Sequence, residues 1–305
     1  MTFSIVARDP ETDAVGVAVQ SKFISVGSVV PFADAEAGAV ATQSFANVAY
    51  GPDGLDHLQK GLTAEEAVEK LVEADDEAEQ RQVGIVGQDG SVAAYTGDEC
   101  FDVAGDVQGE NFTVQGNILE NEETLEAMAG SFQSGEGALP EKLLAALYAG
   151  EDAGGDSRGK QSAALYVAKP EGGYDGKNDR WIDVRVDDHQ NPIQELERVF
   201  KLYDVTLLAR EEPEETKELS GETAEAVTGV LADLGHYDGT PTTVFDEDER
   251  DALEEFRGIN NFENHDLAVL EDALARGWSE ADSDLDDDAR MVDAIWHGLK
   301  RLPRK

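Results

Sequence analysis

The residue best placed to do chemistry stands at the start of the chain. Thr2 follows Met1 directly, and Thr2-Phe-Ser-Ile-Val-Ala-Arg-Asp9 alternates apolar Phe3, Ile5 and Ala7 with polar Ser4 and Arg8, the period of a half-buried strand. Removal of Met1 would leave Thr2 with a free α-amine beside its own hydroxyl. An amine of reference pKa about 8 can take that proton near neutrality, so nucleophile and base would share one residue. Thr2 also suits the plain start of a strand, and this stretch alone favours that reading.

Other polar residues fall at the ends of apolar runs. Ser21 and Lys22 end the run from Val15 to Gln20. Ser21 comes within reach of the Thr2 amine and is equally suited to be a turn hydroxyl, while Lys22 reads better as a solvated strand-end lysine than as a cation that depresses the amine pKa. Gln43 and Asn117 are amides at strand ends, fit to donate to an oxyanion or to orient a substrate amide. The same positions also suit amides that satisfy loop backbone. Asp156 and Arg158 lie in a glycine-rich loop, where a guanidinium fork could meet a substrate carboxylate while Asp156 orients it or binds the substrate amine. A structural ion pair is the alternative. Gln161 follows in the same run. Asp183, Arg185 and Asp187 share one face of a late strand, and a salt-bridge ladder explains them as well as substrate contact by Arg185 does. His189 reads as a solvated loop imidazole. No metal-ligand spacing, Walker loop or dinucleotide loop is present. Asp282, Asp284, Asp286 and Asp288 miss a calcium loop, since Asp287 stands where glycine is needed and Asp293 where glutamate is,. No metal and no cofactor are expected.

The elements that must position these groups follow from pattern. The first strand and Val15–Gln20 read as a hairpin across Asp9-Pro-Glu-Thr-Asp13,. A third strand, Gly38–Ser44, follows a loop around Pro31. Two helices come next, one opening near Asp53 and one capped by Thr63 with Glu66 in the capping-box position. Gln82–Val86 and Val92–Thr96 flank an Asp89-Gly90 turn, and Asn111–Ile118 adds a strand. Helices over about 121–133 and 140–149, strands over 161–168 and 181–186, and a helix from Pro192 to about Tyr203 complete the first domain. Grouped strands joined by tight hairpins, with helices in pairs, predict an α+β fold of two stacked sheets between helical layers, a four-layer αββα sandwich. The expected domain spans 1–208. A Glu-rich, solvated linker is expected over 209–221, a small all-α domain over 222–278 and an acidic, partly helical tail over 279–305.

Asp and Glu number 66 against 24 Lys and Arg, a net charge of −42. Such a surface repels phosphate backbones and anionic lipid, which removes nucleic acid and membrane as partners, and it suits a high-salt, halophilic interior where screening is short-ranged. Cys100 is the only cysteine, so no intrachain disulfide can form. The start lacks the basic and apolar regions of a signal peptide and no apolar run is long enough to span a membrane, so a cytoplasmic protein is expected.

Several long motifs, in order, carry a resemblance: Met1-Thr-Phe-Ser-Ile-Val-Ala-Arg8, Gly16-Val-Ala-Val-Gln-Ser21, Gly38-Ala-Val-Ala-Thr-Gln43, Val114-Gln-Gly-Asn-Ile-Leu119, Gly154-Gly-Asp-Ser-Arg-Gly-Lys-Gln-Ser-Ala163 and Asp183-Val-Arg-Val-Asp-Asp-His189. Together they resemble the DUF1028 family, placed in the N-terminal nucleophile (Ntn) hydrolase superfamily. The resemblance covers the first domain, implies the αββα sandwich and implies Thr2 as nucleophile; it implies no substrate. Val230-Leu-Ala-Asp-Leu-Gly-His-Tyr-Asp-Gly239, Phe245-Asp-Glu-Asp-Glu-Arg-Asp-Ala-Leu253 and Asn260-Asn-Phe-Glu263 resemble, more loosely, a peptidoglycan-binding-like domain. The expected activity is an amidohydrolase that cleaves a small amide or peptide-like C–N bond through a Thr2 acyl-enzyme. Thr2, Ser21, Gln43 and Asn117 are the expected catalytic residues, and Asp156, Arg158, Gln161 and Arg185 the expected substrate contacts. The alternative is a catalytically silent scaffold whose C-terminal module binds a partner or glycan, and a third possibility is that this module merely holds a homo-oligomer together.

Overall fold

The computed structural model describes residues 2–101 and 103–305. Its chain runs β1 (Thr2–Arg8), β2 (Val15–Ser21), β3 (Pro31–Asp34), β4 (Gly38–Ser44), α1 (Tyr50–Gln59), α2 (Ala64–Glu73), β5 (Arg81–Gly87), β6 (Val92–Thr96), β7 (Gly105–Gly109), β8 (Phe112–Asn117), α3 (Glu123–Ser134), α4 (Leu139–Asp152), β9 (Ser162–Ala168), β10 (Arg180–Val186) and α5 (Pro192–Leu207). The strands form two antiparallel sheets, ordered β10-β9-β2-β1-β8-β7 and β3-β4-β5-β6. Helices α1 and α2 pack on the outer face of the second sheet and α3 and α4 on that of the first. The result is the expected four-layer αββα sandwich.

Local chemistry sets several boundaries. Thr63 and Glu66 close the capping box that starts α2,. The loop expected around Pro31 contains β3, which pairs only with β4 at the sheet edge, where a missing N–H is tolerated. β7, also unforeseen, is an edge strand without an apolar alternation.

β1 departs most from its pattern. It is not half-buried: every residue from Thr2 to Ala7 is buried, because the strand lies inside the larger sheet between β2 and β8. Its odd residues meet the helical layer, as when Phe3 lies under Gly150 of α4. Its even residues face the second sheet. There Val6 joins Val17, Val19, Ala39, Ala41 and Val86 in an apolar core, while Ser4 enters a polar one with Gln43, Gln82 and Gln115. Polar alternation thus marks an interior network rather than a solvent face.

Contacts divide the chain into a unit ending at Glu197 and a second unit, Arg198–Lys305. The second is helical, with α6 (Gly221–Asp233), α7 (Glu247–Ile259), α8 (Leu267–Gly277) and α9 (Asp287–Leu299). The stretch over 209–221 is irregular and mostly exposed, yet it does not hang free of the helices. Arg210 is buried and, with Arg304 and the Trp296 indole, donates to the buried Asp204 carboxylate. Further along, the Lys217 and Leu219 N–H groups donate to Asp272 and Glu271 of α8. Nor is the tail separate from the helices before it. A Cβ on Gly277 would stand 2.0 Å from the Ala294 carbonyl oxygen, and one on Gly298 2.0 Å from that of Ala273, so α8 and α9 meet backbone to backbone where only glycine fits. Within the acidic run, Asp286 caps α9 by accepting from the Ala289 N–H. Among the described residues, no helix is long and apolar enough to cross a membrane.

Candidate active site

Strand register assembles the site. Thr2 stands opposite Ser21 on β2 and opposite Asn117 on β8, and Ser21 stands opposite Ser162 on β9. Directly opposed residues point to the same face. Asn117, Thr2, Ser21 and Ser162 therefore form one row across four strands, facing the second sheet. Thr2 Oγ1 lies 3.1 Å from Ser21 Oγ, with either able to donate. All four are buried.

Behind the row, hydrogen bonds fix the orientation of each amide. Gln82 Nε2 donates to the Gly105 and Gly116 carbonyls at 3.1 and 2.8 Å, so its Oε1 must be the acceptor on the other side. That oxygen accepts from Gln43 Nε2 at 2.8 Å and from Asn117 Nδ2 at 2.9 Å. Gln43 spends its second amide hydrogen on the Gln115 carbonyl at 3.3 Å, and its Oε1 accepts from Ser4 Oγ at 2.7 Å. Gln43 thus has no donor left for an oxyanion. The oxyanion donation expected of it is therefore not available in this arrangement, because the inter-sheet network consumes its hydrogens. Asn117 differs. Its Oδ1 is buried without a partner, beside Thr2. A buried acceptor left unmatched is costly, and its natural complement is an N–H.

Thr2, Ser21, Gln43 and Asn117 all line one cavity of about 340 Å³, together with Phe23, Val26, Val30, Phe45, Phe101, Ile118 and Arg158. Its walls are pinned from behind. Ser162 Oγ donates to the Phe23 carbonyl and accepts from the Val26 N–H, holding the loop after β2. Arg81 donates to the Phe45 carbonyl and to Asp75. Burial opposes the charge on Asp75, yet the donors Asn47, the Glu77 N–H and Arg81 outweigh it and hold the carboxyl well below the usual carboxylate range,. Ser44 and Ile118, both on the wall, have φ of 72° and 53°. A left-handed β-branched residue is an outlier, and such strain gathers at functional sites.

The remaining expected contacts separate into one on the cavity and three off it. Arg158 lines the cavity with its side chain 44% exposed. Asp156 does not line it. Its carboxylate is fully buried, accepting from the Lys22 and Arg158 N–H groups at 2.8 and 2.9 Å and pairing with the Arg158 guanidinium at 3.4 Å. Asp156 therefore ties the loop that carries Arg158 to the end of β2, and its buried carboxylate is turned away from the cavity where a substrate amine was expected to meet it. Gln161 is also off the cavity, donating to Asp188 at 3.0 Å. Arg185 sits on edge strand β10, outside the residues that line the cavity, and pairs with Asp183 at 3.4 Å. Lys22 Nζ reaches the Lys160 carbonyl, and His189 bonds within its own loop. The expectation that Met1 is removed concerns a residue outside those described.

A family described as a family of unknown function, DUF1028, matches residues 2–196. The chain belongs to the DUF1028 family. Residues 206–294 match a putative peptidoglycan binding domain. The crystal structure of a DUF1028 protein from Silicibacter pomeroyi is similar at 34% identity and a TM-score of 0.61, over 67% of this chain and 89% of that one. No curated protein matches. In this DUF1028 chain, sequence reasoning missed Gln82 and Ser162, which orient the site from behind, and the phenylalanines of the cavity. The only signal of Gln82 and Ser162 was the polar residue recurring inside apolar strands.

Proposed function

We propose that this DUF1028 chain is an Ntn amidohydrolase that cleaves a small amide or peptide-like C–N bond, with Thr2 as nucleophile after loss of Met1. One observation carries the reading: Thr2 Oγ1 lies 3.1 Å from Ser21 Oγ on the lining of a cavity, with the unpartnered Asn117 Oδ1 in the paired position beside it. A free Thr2 amine would supply the N–H that Asn117 Oδ1 lacks, and that bond would hold the amine near its own hydroxyl. The Thr2 hydroxyl then attacks the carbonyl carbon while its proton passes to the amine, directly or through Ser21. Collapse of the tetrahedral adduct breaks the C–N bond, and the leaving nitrogen takes that proton. Water attacks the resulting ester, again with the amine as base, releasing the acid and restoring Thr2.

The test is mass spectrometry of the purified chain before and after exposure to an activated aryl ester. The expected result is a chain lacking Met1 that gains one acyl group, mapped to Thr2 and absent in Thr2→Ala. Retained Met1, or equal labelling of Thr2→Ala, would overturn the proposal. The match over residues 206–294 favours a second reading, a silent sandwich with a glycan- or partner-binding C-terminal unit. Under it, Thr2→Ala leaves binding to glycan untouched and there is no turnover to lose.

A further inference from the structure

Exposed apolar side chains are few on this acidic chain, and they gather at one place. Among the described residues eleven large hydrophobic side chains are exposed. Six of them, Phe23, Ile24, Phe45, Val48, Phe101 and Val103, stand in three loops: after β2, after β4 and between β6 and β7. Scattered singly such residues need no explanation, whereas a shared patch marks an interaction site. This patch has an inward end, because Phe23, Phe45 and Phe101 line the cavity that holds Thr2. The molecule that covers these rings is thus one that enters beside Thr2.

The rings are about half exposed although the loops beneath them are fixed. The Phe23 carbonyl accepts from Ser162 Oγ, the Phe45 carbonyl accepts from Arg81, and the Phe45 N–H donates to the Gln80 carbonyl at 3.3 Å. Beside Phe101, the Cys100 N–H donates to the Gly97 carbonyl at 3.0 Å, and the Val103 carbonyl accepts from the Leu119 N–H at 3.1 Å. Val103 has a φ of 55°, a left-handed setting that a β-branched residue keeps only where its surroundings impose it. Loops held in this way present their rings before any ligand arrives, which lowers the cost of binding. The Phe45 and Phe101 rings stand 5.8 Å apart, tilted by 47°, an angled pair whose remaining faces and edges can take a third ring. Val26, Val30 and Ile118 continue the apolar wall. Arg158, on the same wall, is already engaged by Asp156 at 3.4 Å, so recognition falls to the apolar side chains. A cavity of about 340 Å³ is at the small end of the ligand-pocket range of about 300–1,000 Å³, room for one ring-bearing unit rather than a polymer.

We infer that the substrate is an amide with an aromatic ring close to the scissile bond, the ring lying among Phe23, Phe45 and Phe101 while the carbonyl carbon meets Thr2 Oγ1. The cleavage rests on the reading of Thr2 as nucleophile; the recognition of the ring does not. The C–N bond breaks with one water consumed, its oxygen going to the carboxylic acid and its proton to the amine, and one of the two products keeps the ring.

The experiment uses the full chain and three uncharged probes. N-acetylglycinamide has no ring, N-phenylacetylglycinamide carries one on the acyl side, and N-acetylphenylalaninamide carries one on the amine side. Products are followed by mass spectrometry for the wild type, and binding is followed calorimetrically on Thr2→Ala. At least one ringed probe is expected to exceed acetylglycinamide by about tenfold or more in both readouts, the return for burying a ring. Whichever does so shows which side of the bond meets the phenylalanines. Phe45→Ala should reduce that preference several-fold, and Phe23→Ala, from another loop, should do the same, so one misfolded variant leaves the other to decide. A preference undiminished in both would overturn the inference. Ring-selective binding without any product would sink the nucleophile reading and keep the recognition. Cleavage of all three probes at similar rates would keep the nucleophile and overturn the substrate class. Neither binding nor cleavage would overturn it as well.

Discussion

Asn117 shows how a single side chain is assigned by what surrounds it. Gln82 can present only its oxygen, so Asn117 must present its nitrogen to Gln82, and its own oxygen is left toward the row that holds Thr2. An acceptor beside an amine favours the protonated amine, whose N–H bonds are stronger, and so raises its pKa. Activity that needs the neutral amine falls as pH drops through that pKa. Asn117→Ala is therefore expected to slow acylation by about a hundredfold, the low end of what acid–base assistance supplies, and to move the acid limb of the pH profile to lower pH. A purely structural defect would lower the rate without moving that limb. Gln43, by contrast, is fully consumed by Ser4, Gln82 and Gln115, and its substitution should act on stability together with rate.

At the scale of elements, the two sheets are joined by amides as well as by valines, and the amides need room. Gly84 on β5 provides it. A Cβ there would lie 2.1 Å from Gln115 Oε1 and 3.0 Å from Thr113 Cγ2. Gln115 cannot swing away freely, because its Nε2 holds Ser4 Oγ at 2.6 Å. Gly84→Ala is expected to destabilise the sandwich by about 1–3 kcal/mol, the usual cost of overpacking. The measurement is a denaturant midpoint at unchanged slope, which reports stability rather than altered compactness. A midpoint equal to the wild type would show that the inter-sheet layer has slack there.

For the whole molecule, charge sets the conditions under which everything else operates. A net charge of −42 makes the folded state repel itself, and salt relieves that repulsion as the screening length falls from about 10 Å at about 0.1 M to about 3 Å at about 1 M. The thermal midpoint should rise steadily over that interval in potassium chloride. A midpoint insensitive to salt would mean that the acidic surface carries little strain. Internal ion pairs of the C-terminal unit should be less affected, since Asp204, Arg210 and Arg304 are buried and buried pairs are poorly screened.

Period, turn chemistry and caps are local, so the hairpin of β1 and β2, the capping box at Thr63, the grouping of strands and helices into four layers, and the family were all legible in the order of residues. It also singled out Thr2, Ser21, Asn117 and Arg158, which lie together on one cavity. Tertiary structure decided the rest. Burial of both faces of β1 depends on neighbours far along the chain, as does the surrender of the Gln43 hydrogens to an internal network. The inward turn of Asp156 and the convergence of Phe23, Phe45 and Phe101 from three loops have the same origin. A polar residue in an alternating strand reads the same whether its partner is water or another sheet. Only the register of strands distant in sequence tells which one it meets.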